Sequence, residues 1–363
     1  MCSERTKSPS PDWSLLPPEL LHLIAHSHLP NPCDLLRFRS VCSRWRSSSA
    51  GSGSGSGSSS SHYLPWLLLP YRHKSPSLPF LNPSDLRLYS LPLPPPLRRP
   101  RKTVFASPHG FLIVIHKSSS DQGFSAVSLF NPFTGALITF PPLPPIAKSP
   151  SVRKALLTVD PAMLVAVLLH GKLAFCALGD ADWTVADVGS SYGGHDLAYR
   201  AGRLYLASFS DLQVLRLEDL SMASYQLRFD NKGHLSVHLM VDSSSGDVLV
   251  LANHESGARF DVYKLDVDRN LLVRCEVGDR LFFVSRRQSL CVSGKGLAGL
   301  EEGSSGCSVS EDFLQAAAPV VYSLWAKDGC SLKRGQAFWQ TPCMQWADWK
   351  DMMKTSWFVP KLC

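Results

Sequence analysis

Two hydrophobic rhythms divide this chain. Between Ser14 and Ser47 the apolar residues fall at helical spacing: Leu20, Leu23 and Ile24, then Leu35 with Phe38, then Val41, Cys42 and Trp45. Residues three and four apart share one helix face, so each group forms an apolar stripe. Pro17-Pro18-Glu19 suits a first helical turn, because proline needs no N–H there and a carboxylate complements the helix dipole. Pro30 stops that helix, and Asn31-Pro32-Cys33-Asp34 reads as the turn that starts the next. The pattern predicts three short helices, too small to build a core alone. Such a segment is expected to dock on a partner.

From Tyr63 onward the rhythm changes. Short runs of β-branched and aromatic residues alternate or cluster between Gly, Pro, Asp and Ser. They predict strands at Phe111–His116, Ala126–Phe130, Met163–Leu169, Leu173–Ala177, Leu204–Ala207 and Val214–Leu217. Further strands are predicted at Ser236–Val241, Val248–Leu251, Phe260–Leu265, Leu271–Glu276 and Leu281–Ser285. Four turn glycines, Gly110, Gly171, Gly202 and Gly246, each precede a strand at spacings of 61, 31 and 44 residues. The mean, about 45, is that of a four-stranded propeller blade. The expected fold is mainly β, a propeller of roughly six blades behind a small helical module.

Composition sets the boundaries. Residues 1–11 are polar and expected to be disordered, and 12–47 hold the helices. Residues 48–62 are Gly/Ser-rich and read as a flexible linker spanning about 20 Å, and 63–363 form the β domain. The chain carries a net charge of +7. Its one basic run, Arg98-Arg99-Pro100-Arg101-Lys102, lacks aromatic neighbours and reads as a solvated loop rather than a nucleic-acid site. No apolar stretch is long enough to span a bilayer, and the N-terminus has no apolar secretion core. The 10 cysteines contain no C-x-x-C pair, so reduced thiols are expected rather than a zinc site or disulfides.

The helical segment resembles the F-box. The matching residues are Leu16-Pro17, Glu19-Leu20-Leu21, Ile24, Leu29-Pro30, Asp34-Leu35-Leu36-Arg37-Phe38-Arg39, Val41-Cys42 and Trp45-Arg46. The resemblance implies docking on the Skp-type adaptor of a cullin–RING ubiquitin ligase. Carried over residue by residue, Leu16, Pro17, Leu20, Leu21, Ile24, Leu29, Leu35, Val41, Cys42 and Trp45 supply the adaptor face and the module's small core. The pattern does not divide them between those two tasks.

The rest of the chain resembles the KIB-type propeller of plant F-box proteins. It does so at Pro65-Trp66-Leu67-Leu68-Leu69-Pro70, His109-Gly110-Phe111-Leu112 and Ser128-Leu129-Phe130-Asn131-Pro132-Phe133-Thr134-Gly135. Val262-Tyr263-Lys264-Leu265-Asp266, Val277-Gly278-Asp279-Arg280-Leu281-Phe282-Phe283 and the closing Trp357-Phe358-Val359-Pro360 extend the match. These pieces mark structure. The sequence departs from the family between Gly299 and Pro319. Trp346, Trp349 and Met353 read either as a partner groove or as a plug under the propeller.

Together these readings imply the substrate receptor of an SCF-type ligase, working in cytoplasm or nucleus, with no catalytic, metal or cofactor site. Its partners would be the adaptor and a target protein. Two alternatives stay open: a scaffold outside any ligase, and a glycan-acting propeller enzyme using paired carboxylates. For the enzyme the candidates are Asp180, Asp182, Asp187 and Asp196, with His195 beside the last. No nucleophile elbow, metalloprotease helix or phosphate loop occurs.

Overall fold

The computed structural model describes residues 12–29, 31–49, 63–69, 71–72, 74–82, 87–117, 125–146, 152–169, 171–189, 196–208, 210–229, 234–254, 260–266, 269, 271–276, 280–285, 287–293, 307–310, 320–325, 331–334 and 356–361. The expected disordered N-terminus, nearly all of the Gly/Ser linker, His195 and the Trp346–Met353 segment lie outside the described residues.

The N-terminal helices are α1 (Pro18–Leu23), α2 (Pro32–Ser40) and α3 (Ser43–Ser48). A single π-type turn, Ile24–His28, extends α1. Asn31 caps α2: its side-chain oxygen accepts the Cys33 N–H at 2.8 Å.

Five four-stranded antiparallel blades follow. Blade one is β1 (Trp66–Leu68), β2 (Ser77–Asn82) and β3 (Arg87–Pro92), completed by a strand from the far end of the chain. Blade two is β4 (Lys102–Ala106), β5 (Leu112–Lys117), β6 (Ser125–Phe130) and β7 (Leu137–Thr139). Blade three is β8 (Lys154–Thr158), β9 (Leu164–Leu169), β10 (Lys172–Ala177) and β11 (Thr184–Asp187). Blade four is β12 (Asp196–Arg200), β13 (Arg203–Ala207), β14 (Asp211–Arg216) and β15 (Met222–Gln226). Blade five is β16 (His234–Val241), β17 (Val248–His254), β18 (Phe260–Asp266) and β19 (Leu271–Arg274).

Next come a two-stranded hairpin, β20 (Arg280–Phe283) with β21 (Leu290–Ser293), and a three-stranded sheet. That sheet is β22 (Cys307–Ser310), β23 (Val320–Trp325) and β24 (Ser331–Arg334). The last strand, β25 (Ser356–Phe358), pairs with β1 and completes blade one.

The ring closes because each blade is apolar on both faces. A strand sends alternate side chains to opposite sides, and here both sides are covered. In β9, Val165, Val167 and Leu169 pack toward blade two, while Leu164, Ala166 and Leu168 pack toward blade four. The same alternation carries through the hairpin. Leu281 and Phe283 join a cluster with Leu67, Leu69 and Leu81 of blade one, and Phe282 joins Leu249, Leu251 and Val262 of blade five. The hairpin therefore sits between blades five and one.

The expected count of roughly six blades is corrected by this arrangement: the described residues form five four-stranded blades. After Ser293 the chain runs Gly-Lys-Gly-Leu-Ala-Gly-Leu-Glu-Glu-Gly-Ser-Ser-Gly, which offers no period-two alternation to continue the hairpin's sheet. The irregular glycine spacing has a related cause. Gly110, Gly202 and Gly246 lie between the first and second strands of their blades, whereas Gly171 lies between the third strand and its predecessor.

The solvated-loop expectation for the basic run holds for residues 98–101, which are exposed, and fails at its last residue. Lys102 is buried in β4, and its Nζ donates to the Ser75 carbonyl at 3.0 Å. Arg98 turns back to donate to the Leu93 carbonyl at 2.7 Å.

Candidate protein-interaction face

The helical module has a small core of its own. Leu21, Ala25, Leu35 and Phe38 are buried together, with Leu16, Ile24, Leu29, Trp45 and Tyr63 packed partly buried around them. The Phe38 and Trp45 rings lie 4.5 Å apart, and the Trp45 indole N–H donates to the Trp13 carbonyl at 3.1 Å. Burial pushes the Tyr63 hydroxyl up to about 12, against the opposing influence of Arg39.

This core divides the ten residues that the sequence pattern left together. Leu21 and Leu35 belong to the interior. Leu16, Ile24, Leu29 and Trp45 border it, and Cys42 is also half-buried. Pro17, Leu20 and Val41 are exposed, Leu20 at 47 % and Val41 at 56 %. Leu15 and Leu23, which were not among the ten, are also exposed. Leu23 could have been found from its place in the α1 stripe. Leu15 has no such signal, because it precedes the helix.

The module therefore fills its interior and still presents Leu15, Leu20, Leu23 and Val41 to water. Scattered surface leucines are ordinary, but several on one module of under forty residues are what a protein-binding face looks like. Asp34 and Arg37 form an exposed i,i+3 ion pair at 2.6 Å, worth little to stability.

The module also touches the propeller. Cys33 and Leu36 of α2 pack against the blade-one cluster beside Tyr89 and Leu91. The Asn31 side-chain amide donates to the Tyr89 hydroxyl, and Tyr89 stacks on Trp66 with centroids 4.6 Å apart. α2 thus turns Leu35 and Phe38 inward and Cys33 and Leu36 toward blade one. The linker composition suggested two parts free to move; the structure sets them in contact.

The enzyme candidates fall at three places: Asp180 and Asp182 between β10 and β11, where both act on the Cys176 thiol, Asp187 at the end of β11, and Asp196 at the start of β12. Asp180 accepts the Ala177 N–H at 2.9 Å in the turn after β10. Asp187 is exposed and pairs with Lys172 at 2.5 Å. Asp196 lies in the next blade, wholly buried. Its oxygens accept from Lys154 Nζ, from the Leu197 N–H at 2.8 Å and from the Leu239 N–H at 3.0 Å. Burial alone would raise this carboxyl, but Lys154 and His238 outweigh it and hold it down at about 2. Ser289 Oγ lies 3.2 Å from His238 Nδ1, and Asp196 lies 3.6 Å from the same nitrogen. A Ser-His-Asp relay needs the two partners on opposite ring nitrogens. The cluster instead ties blades three, four and five to the closing hairpin.

A second buried carboxylate does similar structural work. Asp242, in the turn between β16 and β17, accepts from Arg280 Nε at 2.6 Å, from the Ser244 N–H at 2.8 Å and from Ser245 Oγ at 3.0 Å. Burial would raise it, but the bonds from Ser244 and Arg280 hold it at about 2.

No helix among the described residues is long and apolar enough to cross a membrane.

Comparison with known proteins matches residues 80–304 to the KIB1-4 β-propeller family and residues 13–51 to an F-box-like family. An F-box/kelch-repeat protein of Arabidopsis thaliana is 68 % identical over 37 residues, 10 % of either chain. The F-box protein SKIP23 of the same plant is 58 % identical over 38 residues, 10 % of this chain and 9 % of that one. The chain thus spans about a tenth of the length of the curated relatives it matches. Among solved structures, a 6-phosphogluconolactonase from Bacteroides uniformis aligns at 13 % identity over 75 % of this chain and 81 % of that one, with a TM-score of 0.40.

Proposed function

Since the chain belongs to the KIB1-4 β-propeller family and carries an F-box-like module ahead of the propeller, we propose that it is the substrate-recognition subunit of an SCF-type ubiquitin ligase. The module docks on the Skp-type adaptor and the propeller holds the target protein. The chain performs no chemistry. It raises the effective concentration of target lysines near the ubiquitin-loaded enzyme, which is a positional contribution to rate.

One observation carries the adaptor half of this reading. The module has a filled core and still exposes four apolar side chains, Leu15, Leu20, Leu23 and Val41, of which Leu20 and Leu23 share the α1 stripe. Buried apolar anchors at helical spacing dominate helix-in-groove contacts.

The test is purification of the full chain with a Skp-type adaptor. Leu20→Asp with Val41→Asp places carboxylates in that contact, where an unpaired charge is costly. Binding should fall by at least about 100-fold, or roughly 2.7 kcal/mol, while the thermal melt stays near the parent's because both positions face water. Undiminished adaptor binding in this variant would overturn the docking model.

A further inference from the structure

Blade four carries three arginines at one register. Arg200 of β12 stands directly opposite Arg203 of β13, and Arg203 stands directly opposite Arg216 of β14. Directly opposed residues on neighbouring antiparallel strands lie about 5 Å apart and point to the same side. None of the three forms an ion pair or a side-chain hydrogen bond with a described residue. Like charges so placed are destabilising.

The row continues the face that blade four turns toward blade five. That face is apolar further along, through Tyr205, Ala207, Leu212 and Val214. At the arginine end the Arg200 guanidinium lies over Gly246 of the β16–β17 turn, so closely that a Cβ on Gly246 would come within 1.8 Å of it. Beside the row is a pocket of about 350 Å3, lined by Arg203, Arg216, Val214, Ser221 and Tyr225 among others. Acidic residues near the row include Asp247, which follows Gly246 and pairs with Lys264 at 2.9 Å, and Asp219 on the turn after β14. Asp219 accepts the Ser221 N–H at 2.9 Å, and that bonding to Ser221, more than the charge of Arg216, holds its carboxyl below the usual range. The pocket therefore sets two guanidinium forks, neither in an ion pair or side-chain hydrogen bond with a described residue, beside a phenol and an apolar wall.

Its chemistry fits a dianion that two arginines can grip. A guanidinium matches phosphate oxygens in a bidentate fork. The pocket also opens beside β15, the outer strand of blade four, whose residues are mostly exposed. An outer strand edge accepts an extended peptide through main-chain bonds while a neighbouring pocket takes a side chain. We propose that this blade-four pocket binds a phosphorylated side chain on an extended segment of a protein partner. Arg203 and Arg216 grip the phosphate, and Arg200 adds to the positive field. This rests on reading the propeller as the target-holding part, and it gives that part a substrate class.

The probe is a fluorescent degenerate peptide pool centred on phosphoserine, with its unphosphorylated twin, titrated with the full chain. The phosphorylated pool should bind at least about ten-fold more tightly, the equivalent of about 1.4 kcal/mol. Inorganic phosphate at high concentration should displace it. Arg203→Gln with Arg216→Gln should remove the preference and melt no lower than the parent, because the substitution relieves the opposed charges. Adaptor binding by this variant should be unchanged, so failure here is distinguishable from failure of the ligase reading. Equal binding of the two pools, or a preference that survives the double substitution, overturns the proposal. So does inorganic phosphate binding as tightly as the phosphorylated pool, or a single-stranded RNA oligonucleotide binding more tightly with the same arginine dependence.

Discussion

The helical module and the propeller bury their apolar residues to different degrees. The propeller covers the faces between its blades and leaves apolar side chains exposed on outer strands and turns, such as Leu137, Val185, Leu220 and Leu271. Every blade is covered on both faces, and the hairpin β20–β21 fills the space between blades five and one. In the module, Leu21, Ala25, Leu35 and Phe38 make an interior, and Leu20, Leu23 and Val41 remain outside. The contrast says where to look for each kind of contact. On the module, recognition is expected through apolar surface. On the propeller the exposed apolar side chains are scattered over outer strands and turns, and the recognition proposed there is by polar groups at a blade edge, the Arg203–Arg216 pocket.

The largest expected effect comes from breaking closure itself. β25 pairs with β1 through Ser356, Trp357 and Phe358, and Ala106 N–H donates to Ser356 Oγ at 3.2 Å. Val359 lies buried between blade one and the hairpin, and the Lys361 carbonyl accepts from Asn131 Nδ2 at 3.1 Å. Gly110 lets this terminal segment approach: at φ 80 it adopts a glycine conformation, and a Cβ there would meet Lys361 at 2.5 Å. Deleting residues 356–363 should cost roughly 3–5 kcal/mol, by analogy with large core truncations, and lower the melting temperature by about 10 °C. Far-UV circular dichroism against temperature reads this directly. Adaptor binding should survive at low temperature, since the module's core is elsewhere. If it is lost together with the melt, the two regions do not bury themselves independently and the contrast fails.

A smaller effect follows from charge. The propeller buries Asp196 and Asp242, both held at about 2, whereas the module's described carboxylates Asp12, Glu19 and Asp34 are not buried. An unfolded aspartate titrates near 3.9. A depressed folded value contributes stability that is fully present above the unfolded value and is lost as pH falls through the folded one. The propeller should therefore weaken between about pH 4 and pH 2, by roughly 2 kcal/mol for each group. Asp242→Asn should reduce the dependence of unfolding free energy on pH in that window by about one proton. Denaturant titrations of parent and variant at several pH values would test it, and identical slopes would refute it.

Much of this was legible in the sequence, and the gaps have physical causes. Predicted strands such as Met163–Leu169 appear in place because both sides of them are apolar, as β9 shows. The outer strands β3, β11 and β15 are mostly exposed, so they carry little hydrophobic rhythm to read. β12 begins with a buried aspartate, and β4 begins with a buried lysine at the end of a basic run. A sequence pattern prices both as surface. On the module the motif named the right segment, but it could not tell Leu20 from its neighbour Leu21. Adjacent residues on a helix point in different directions, and which direction is inside depends on where α2 and α3 pack. The pairing of Arg200, Arg203 and Arg216 was hidden for a similar reason, since register brings together residues that are up to 16 apart in the chain.

The smallest expected effect decides how the two regions are joined. Asn31 serves both: its oxygen caps α2 at Cys33, and its amide donates to Tyr89 of blade one. Asn31→Ala removes both bonds and should cost about 1 kcal/mol, most of it from the lost cap. Tyr89→Phe keeps the ring on Trp66 and removes the hydroxyl that accepts from Asn31, so it should cost about 0.5–1 kcal/mol. Their sum should exceed the cost of the double variant by roughly 0.5 kcal/mol, because the shared bond is counted in both single changes. Equilibrium unfolding in denaturant, followed by tryptophan fluorescence, measures all three. A cycle that closes additively would mean that α2 does not lean on blade one in solution. The exposed apolar face would then be carried on a free arm, and its direction relative to the propeller would be set by the adaptor alone. A coupled cycle means that the chain itself fixes that direction. The distance between the proposed adaptor contact on α1 and the proposed pocket on blade four would then be a property of the fold.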